Sequence, residues 1–398
     1  MTSLRAYAAV TAAYWAFMLT DGALRMLVLL HFHGLGFSPL QLAWLFLLYE
    51  VAGVVTNLTA GWLAARYGLG ATLIAGLALQ IAALAALTQL DPAWTVAASV
   101  VFVMLVQGAS GVAKDLAKTA SKSAVKLLAP EGGLFRWVAV LTGSKNAIKG
   151  LGFFVGAALL ATVGFGPALW LMATGLAAIL VAVVLALPRD MSARDAKAKF
   201  TQVFSRDPRI NRLAAARLFL FAARDVWFVV ALPIWLAATL AQTLDPRTAF
   251  FVTGGFMAIW IIGYGGVQAL APRIVRGGTP SDALTWVAAL AVIPAVLAAT
   301  NAAASDATWI VMAGLLVFGV VFAINSSLHS FLILDFARAE RVTMDVGFYY
   351  MANAGGRLLG TLLSGLTYQW GGLPMALAAS AGLLILAAVA TRTIPASA

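Results

Sequence analysis

The chain has 398 residues, of which 62% are hydrophobic and 10% charged, with a formal net charge of +11 at pH 7. That balance excludes a soluble globular enzyme or a nucleic-acid-binding domain and points to a polytopic membrane protein. There is no cysteine, so disulfides and thiolate metal sites are excluded, and His31, His33 and His329 are too scattered for a metal centre.

Apolar runs of about the 20 residues needed to cross a bilayer recur along the chain. They lie at 7–30, 39–64, 70–90, 94–116, 134–163, 167–187, 213–240, 248–271, 282–300, 308–336, 342–368 and 373–391. The first follows MTSLR and imitates a signal peptide. It outruns the usual ~15-residue apolar core and carries Asp21 and Arg25, which reads as a retained span. Twelve spans predict an all-α fold of two pseudo-symmetric six-helix bundles. Residues 1–187 form the first, 188–212 a basic linker and 213–398 the second.

Lysine and arginine set the expected orientation. With the N-terminus inside, cytoplasmic segments and inner span ends, Lys114 and Arg136 among them, hold 19 of the 26 basic residues, the opposite side holds only Arg247, and six lie deep within spans. Both termini are then expected to be cytoplasmic. In the linker, Phe200, Val203 and Phe204 among basic residues suit either a helix on the inner leaflet or a solvated connection.

The halves repeat weakly. Lys149, Gly152 and Gly164 match Arg357, Gly360 and Gly372 at a shift of 208, and Asp21 matches Asp225 at a shift of 204. A duplicated six-span unit places the substrate site near the bilayer midplane.

The six intramembrane cations are Arg25, Lys145, Lys149, Arg217, Arg224 and Arg357, against three comparably deep acids, Asp21, Glu50 and Asp225. A charge at a helix centre costs roughly 3 kcal/mol on insertion scales, so each is a functional candidate. The surplus is positive and suits an anion. Lys145 and Lys149 share a helical face, and an anion would relieve their repulsion. Arginine suits bidentate capture of tetrahedral oxyanions. Arg224 and Asp225, as helical neighbours, are expected to point about 100° apart. Arg217 is read as an interfacial charge at the inner end of span seven. Each cation also has a bland alternative: snorkelling or an ion pair that fixes helix register. Asp21, Glu50 and Asp225 are either proton carriers or permanent counter-ions.

Lys114, Lys118, Lys122 and Lys126 form a winding basic stripe, either a lipid anchor or a funnel for anions, with Lys114 the deepest. Asn325, Ser326, Ser327 and His329, with Tyr349, Tyr350 and Asn353, either bond helix to helix or hold a substrate hydroxyl.

Twelve spans, a central basic linker and paired halves resemble the major facilitator superfamily over the whole chain. The superfamily's loop signature, G-x-x-x-D-R-x-G-R-K, reads here GWLAARYGLG at 61–70. Gly61, Arg66 and Gly68 match. Ala65 replaces the acid and Leu69–Gly70 the basic pair, which puts the usual gate salt bridge in doubt. Five strings narrow the resemblance: YWAFMLTDGALRMLVLLHFH (14–33), YEVAGVVTNLTAGW (49–62), GVAKDLAKTASKSAVKLL (111–128), RWVAVLTGSKNAIKGLGFFVG (136–156) and ARDVWFVVALP (223–233). They are similar to the bacterial organoarsenical efflux permease family, ArsJ. The resemblance implies a bacterial inner-membrane location and export of 1-arseno-3-phosphoglycerate, with glyceraldehyde-3-phosphate dehydrogenase as the functional partner that makes it. The partners expected are therefore a small anion and the lipid bilayer, with the chain acting as a monomer and no cofactor. The alternatives are a carrier of another organic phosphate or oxyanion, and a drug–proton antiporter. A membrane enzyme is disfavoured because nucleotide-binding and clustered catalytic motifs are absent from the sequence.

Overall fold

The computed structural model describes residues 2–128, 134–186, 205, 207–275, 278–303, 308–337 and 342–395. The linker segment 188–204 with its proposed surface helix, and the side chains of Lys122 and Lys126, lie outside the described residues.

The described chain is helical: α1 (Thr2–Gly34), α2 (Pro39–Leu45), α3 (Leu47–Tyr67), α4 (Leu69–Leu87), α5 (Val96–Leu128), α6 (Leu134–Val163), α7 (Phe165–Ala186), α8 (Pro208–Phe228), α9 (Ala231–Leu240), α10 (Pro246–Ile274), α11 (Pro280–Ala303), α12 (Thr308–Phe336) and α13 (Val342–Arg392). Eleven segments among the described residues are long and apolar enough to cross a membrane. The last, Asp345–Arg392, has 48 residues and accommodates two crossings, because Gly371 and Gly372 leave helical geometry inside α13. Twelve spans result.

Local chemistry explains where spans begin. Four start at proline, which loses nothing at a first-turn position whose N–H has no helical acceptor. Ser38 before Pro39 closes a capping box with Gln41, and Asp207 before Pro208 accepts from the Arg209 amide at 2.8 Å. Asp245 before Pro246 accepts from the Thr248 amide at 3.1 Å. The Thr248 hydroxyl and amide hold the Asp245 carboxyl below its ordinary pKa. Thr279 before Pro280 exchanges bonds with Asp282.

Two spans expected to be continuous are broken. Span two changes helix at Phe46, where the amide bonds back three residues to Ala43. Span seven breaks at Val229–Val230 because Pro233 cannot donate to Val229 and its ring crowds that carbonyl. The freed amides of Val230 and Ala231 donate to Ser364 Oγ, each at 3.1 Å.

The chain divides into two compact units. The first comprises Met1–His31, Val55–Thr201 and Phe250–Ile262. Its core joins Tyr14 and Phe17 of α1, Leu73 and Leu77 of α4, Ala113 and Ala117 of α5 and Leu176 of α7. The second comprises Phe32–Val54, Gln202–Ala249 and Gly263–Ala398. There Ile210 and Leu213 of α8 pack with Ile324, Leu328 and Leu332 of α12 and Tyr349 of α13. Spans one and seven are the most buried, at 83% and 78% of their apolar windows. Both bury apolar residues around most of their circumference, and the charges they carry, Asp21 and Arg25 on one and Arg217, Arg224 and Asp225 on the other, are the ones that must find partners inside the protein.

The repeat seen in sequence is structural. Gly164 and Gly372 both adopt positive φ, 83° and 64°, where the fifth span of each half turns into the sixth. Gly152 and Gly360 both allow the fifth span to touch the first. An added Cβ would fall closer than 3.0 Å to the Leu19 carbonyl in one case and the Ala222 carbonyl in the other.

Candidate functional site

In the first unit, α1 supplies Asp21 and α6 supplies Lys149. Their side chains pair at 2.7 Å, with 2% and 18% exposure. Small residues make that approach possible: a Cβ at Gly22 would sit 2.5 Å from the Lys149 carbonyl, and one at Gly156 would meet the Ala23 carbonyl. Trp15 Nε1 donates to Ser144 Oγ at 2.7 Å, fixing α1 on α6 a turn and a half further along. Arg25, one turn beyond Asp21, is buried, and Lys145, one turn before Lys149, is half-buried.

The basic stripe is partly neutralised. Asp115 is 1% exposed and accepts from Lys118 at 2.6 Å and from the Thr56 hydroxyl at 2.6 Å; Lys118 also donates to Asn57 at 2.8 Å. Lys114 is buried beside it. Asp115 is a fourth deep acid that the sequence reading left within the stripe. Its signal was an acid between two lysines inside an otherwise apolar helix.

The second unit holds the denser cluster. Arg224 pairs with Asp225, although adjacent helical side chains leave the axis about 100° apart. The long arginine stem curls back, which corrects the expectation that the two diverge. Asp225 Oδ2 also lies 3.6 Å from Arg357 Nε, and Arg357 Nη2 donates to Glu50 Oε1 at 2.7 Å. Two guanidiniums and two carboxylates thus form one chain of contacts. Gly356 and Gly360 let α13 lie against α8, since added Cβ atoms would strike the Leu218 and Ala222 carbonyls.

Arg217 is not interfacial. It is 4% exposed and donates from Nε to Asn353 Oδ1 at 3.0 Å and from Nη1 to the Ser326 carbonyl and hydroxyl, each at 3.0 Å. Its guanidinium lies 4.1 Å over the Phe221 ring and 5.0 Å over Tyr349. Helix α8 begins at Pro208, five residues before the predicted start, so Arg217 is about 14 Å along it. Asn353 and Tyr349 therefore attend Arg217 rather than Arg357. Asn325 of α12 donates to the Ala283 carbonyl of α11, bonding helix to helix, whereas Ser327 donates back to Ala323 one turn earlier on its own helix. His31 stacks on Phe165 with ring centres 3.9 Å apart. Among the described residues no group of three His, Asp or Glu could hold a metal ion.

Each unit thus carries the same construction. An aspartate on the first span meets a base on the fifth, and a glycine three residues beyond the base brings the two helices together. Cationic N–H groups already desolvated and oriented by carboxylates are suited to exchange one oxyanion partner for another.

The Major Facilitator Superfamily model matches residues 8–344. No curated protein sequence matches the chain. Among solved structures, a bacterial homologue of the iron transporter ferroportin in an inward-facing state aligns with TM-score 0.72 at 16% identity, over 98% of each chain. A variant of the nucleoside transporter NupG aligns with TM-score 0.75 at 14% identity, over 99% of this chain and all of that one.

Proposed function

The chain belongs to the Major Facilitator Superfamily, and we propose that this membrane transporter exports a phosphorylated organoarsenical anion, 1-arseno-3-phosphoglycerate, from the cytoplasm. The observation that carries the anion reading is the matched pair of acid–base contacts, Asp21 with Lys149 and Asp225 with Arg357. The five strings similar to organoarsenical efflux permeases supply the particular substrate.

The carboxylates keep the bases charged and aimed while the site is empty. Without them, each desolvated cation would be strongly destabilising. An incoming phosphate or arsenate group replaces the carboxylate on Lys149, Arg224 or Arg357. Binding is then an exchange of similar contacts, so its net energy is modest. A carrier needs that property, because it must release what it captures. Arg25, Lys145 and Lys114 add to the positive field that draws the anion in. In this reading Asp21, Glu50 and Asp225 are counter-ions.

Orientation is supported by the basic residues, which gather at one set of connections, the side that the positive-inside tendency turns to the cytoplasm. A polyanion leaving a negative-inside cell gains about 2.3 kcal/mol per charge per 100 mV. With up to about four negative charges on one phosphate and one arsenate group, the membrane potential suffices to drive export.

Everted vesicles test the proposal. The substrate is generated in situ by glyceraldehyde-3-phosphate dehydrogenase from glyceraldehyde 3-phosphate and arsenate, with NAD+ accepting the hydride. Uptake should require the dehydrogenase reaction. Equal uptake of arsenate or 3-phosphoglycerate alone would move the assignment to a general oxyanion or organic phosphate carrier.

A further inference from the structure

We propose that Arg217 is the centre of a second oxyanion-binding site in the second unit, separate from the Arg224–Asp225–Arg357–Glu50 chain. The inference rests on the anion-carrier reading and adds to it a residue that neither the repeat nor the ion pairs single out.

Arg217 differs from Lys149, Arg224 and Arg357, each of which contacts a carboxylate. Among the described residues no carboxylate lies within 4.0 Å of it, and its hydrogen-bond partners, Asn353 and Ser326, are neutral. Burying a cation without a counter-charge is costly, and a neutral acceptor recovers only part of that cost. A guanidinium carries five N–H donors. The bonds to Asn353 and Ser326 engage Nε and Nη1 and leave the two on Nη2 for a ligand.

The surroundings are rich in further donors. His329 stands one turn after Ser326 on α12 and is 1% exposed. Neither of its ring nitrogens has a hydrogen-bond partner among the described residues, and Arg217 is the charge whose field reaches it. Gln268 Nε2 lies 3.3 Å and the Tyr264 hydroxyl 3.4 Å from Ser326 Oγ, and both residues, like Asn353, are partly exposed. A buried cation, an unsatisfied imidazole and a partly open polar rim together fit a desolvated oxyanion.

The spacing ties this centre to the first. Arg217 and Arg224 are two turns apart on α8, about 10.5 Å along its axis. Both guanidiniums contact the Phe221 ring, at 4.1 and 5.0 Å, so they are at most about 9 Å apart. One small ligand with an anionic group at each end can therefore reach both. Phe221 holds the two charges apart.

The test compares two ligands on purified full-length protein. One is 3-phosphoglycerate, anionic at both ends; the other is glycerol 3-phosphate, anionic at one. Wild-type protein should bind the first more tightly. In Arg217→Gln the ratio of the two affinities should fall about tenfold, the low end for losing a charge-assisted contact, and Arg217→Lys should recover part of it. A purely structural role would lower thermal stability and weaken both ligands alike, leaving the ratio unchanged, and would overturn the proposal. Phe221→Ala, which keeps both charges but removes the spacer, should also reduce the ratio; an unchanged ratio in both variants would count against the site even if either folds poorly. If wild-type protein bound neither ligand, this inference would fall, while the export reading is decided separately by the everted-vesicle assay, in which 3-phosphoglycerate is a control.

Discussion

The Asp21–Lys149 pair separates structural from functional roles when it is removed stepwise. At 2.7 Å and an effective dielectric of ~20, the attraction is about 6 kcal/mol before desolvation. Breaking a buried pair by removing one partner costs about 3–5 kcal/mol. Lys149 is 18% exposed and Asp21 keeps its other contacts, so the low end, about 3 kcal/mol, is expected for Lys149→Met. Asp21→Ala should cost a similar amount. The double variant removes both charges, leaves the net charge of the interior unchanged, and should return to within about 1 kcal/mol of wild type, because a neutral replacement has no desolvation to offset. Unfolding in a detergent series measures the stability of all four proteins. Export should be lost in all three variants, since the base that receives the anion is missing or left unaimed. Normal export by the double variant would make Lys149 a structural residue and refute its place in the site. A Lys149→Met protein as stable as wild type would refute the energetic argument.

Arg357→Ala should abolish arsenate resistance in cells that also carry the dehydrogenase, without loss of membrane insertion, which becomes easier by roughly 3 kcal/mol; immunoblots of membranes provide the control. Gly152→Ala and Gly360→Ala place a Cβ closer than 3.0 Å to a backbone carbonyl of the facing helix. Each should destabilise by about 1–3 kcal/mol, measured by the same unfolding series, whereas Gly175→Ala, which meets nothing within 4 Å, should not. Because the chain has no cysteine, single-cysteine variants report orientation cleanly: Gln242→Cys should react with an impermeant thiol reagent from outside intact cells, and Asn211→Cys only in everted vesicles. Export should accelerate with an imposed inside-negative diffusion potential and slow when it is collapsed by valinomycin at equal potassium.

The twelve spans were legible in the sequence because they are set by local chemistry. Apolar length fixes a crossing, and Gly164 and Gly372 mark turns of positive φ; the starts that a polar residue before proline sets at 208, 246 and 280 were placed two to five residues late. The equivalence of Lys149 and Arg357 was legible for the same reason: the base and the glycine three residues later belong to one helix and move together in any duplication. The partners of those bases were not legible. Lys149 finds Asp21 across 128 positions, Arg357 finds Glu50 across 307, and Arg217 finds Asn353 across 136. Each choice depends on which helix faces which and at what height. Packing settles that through Gly22, Gly156, Gly356 and Gly360, where backbones come close enough for side chains to meet. Arg217 was read as interfacial because its burial comes from Ser326 of α12 and Asn353 of α13, which reach it across 109 and 136 positions. Sequence thus determined the helices and the surplus of positive charge; the tertiary structure decided which cations were neutralised by carboxylates and which by neutral groups.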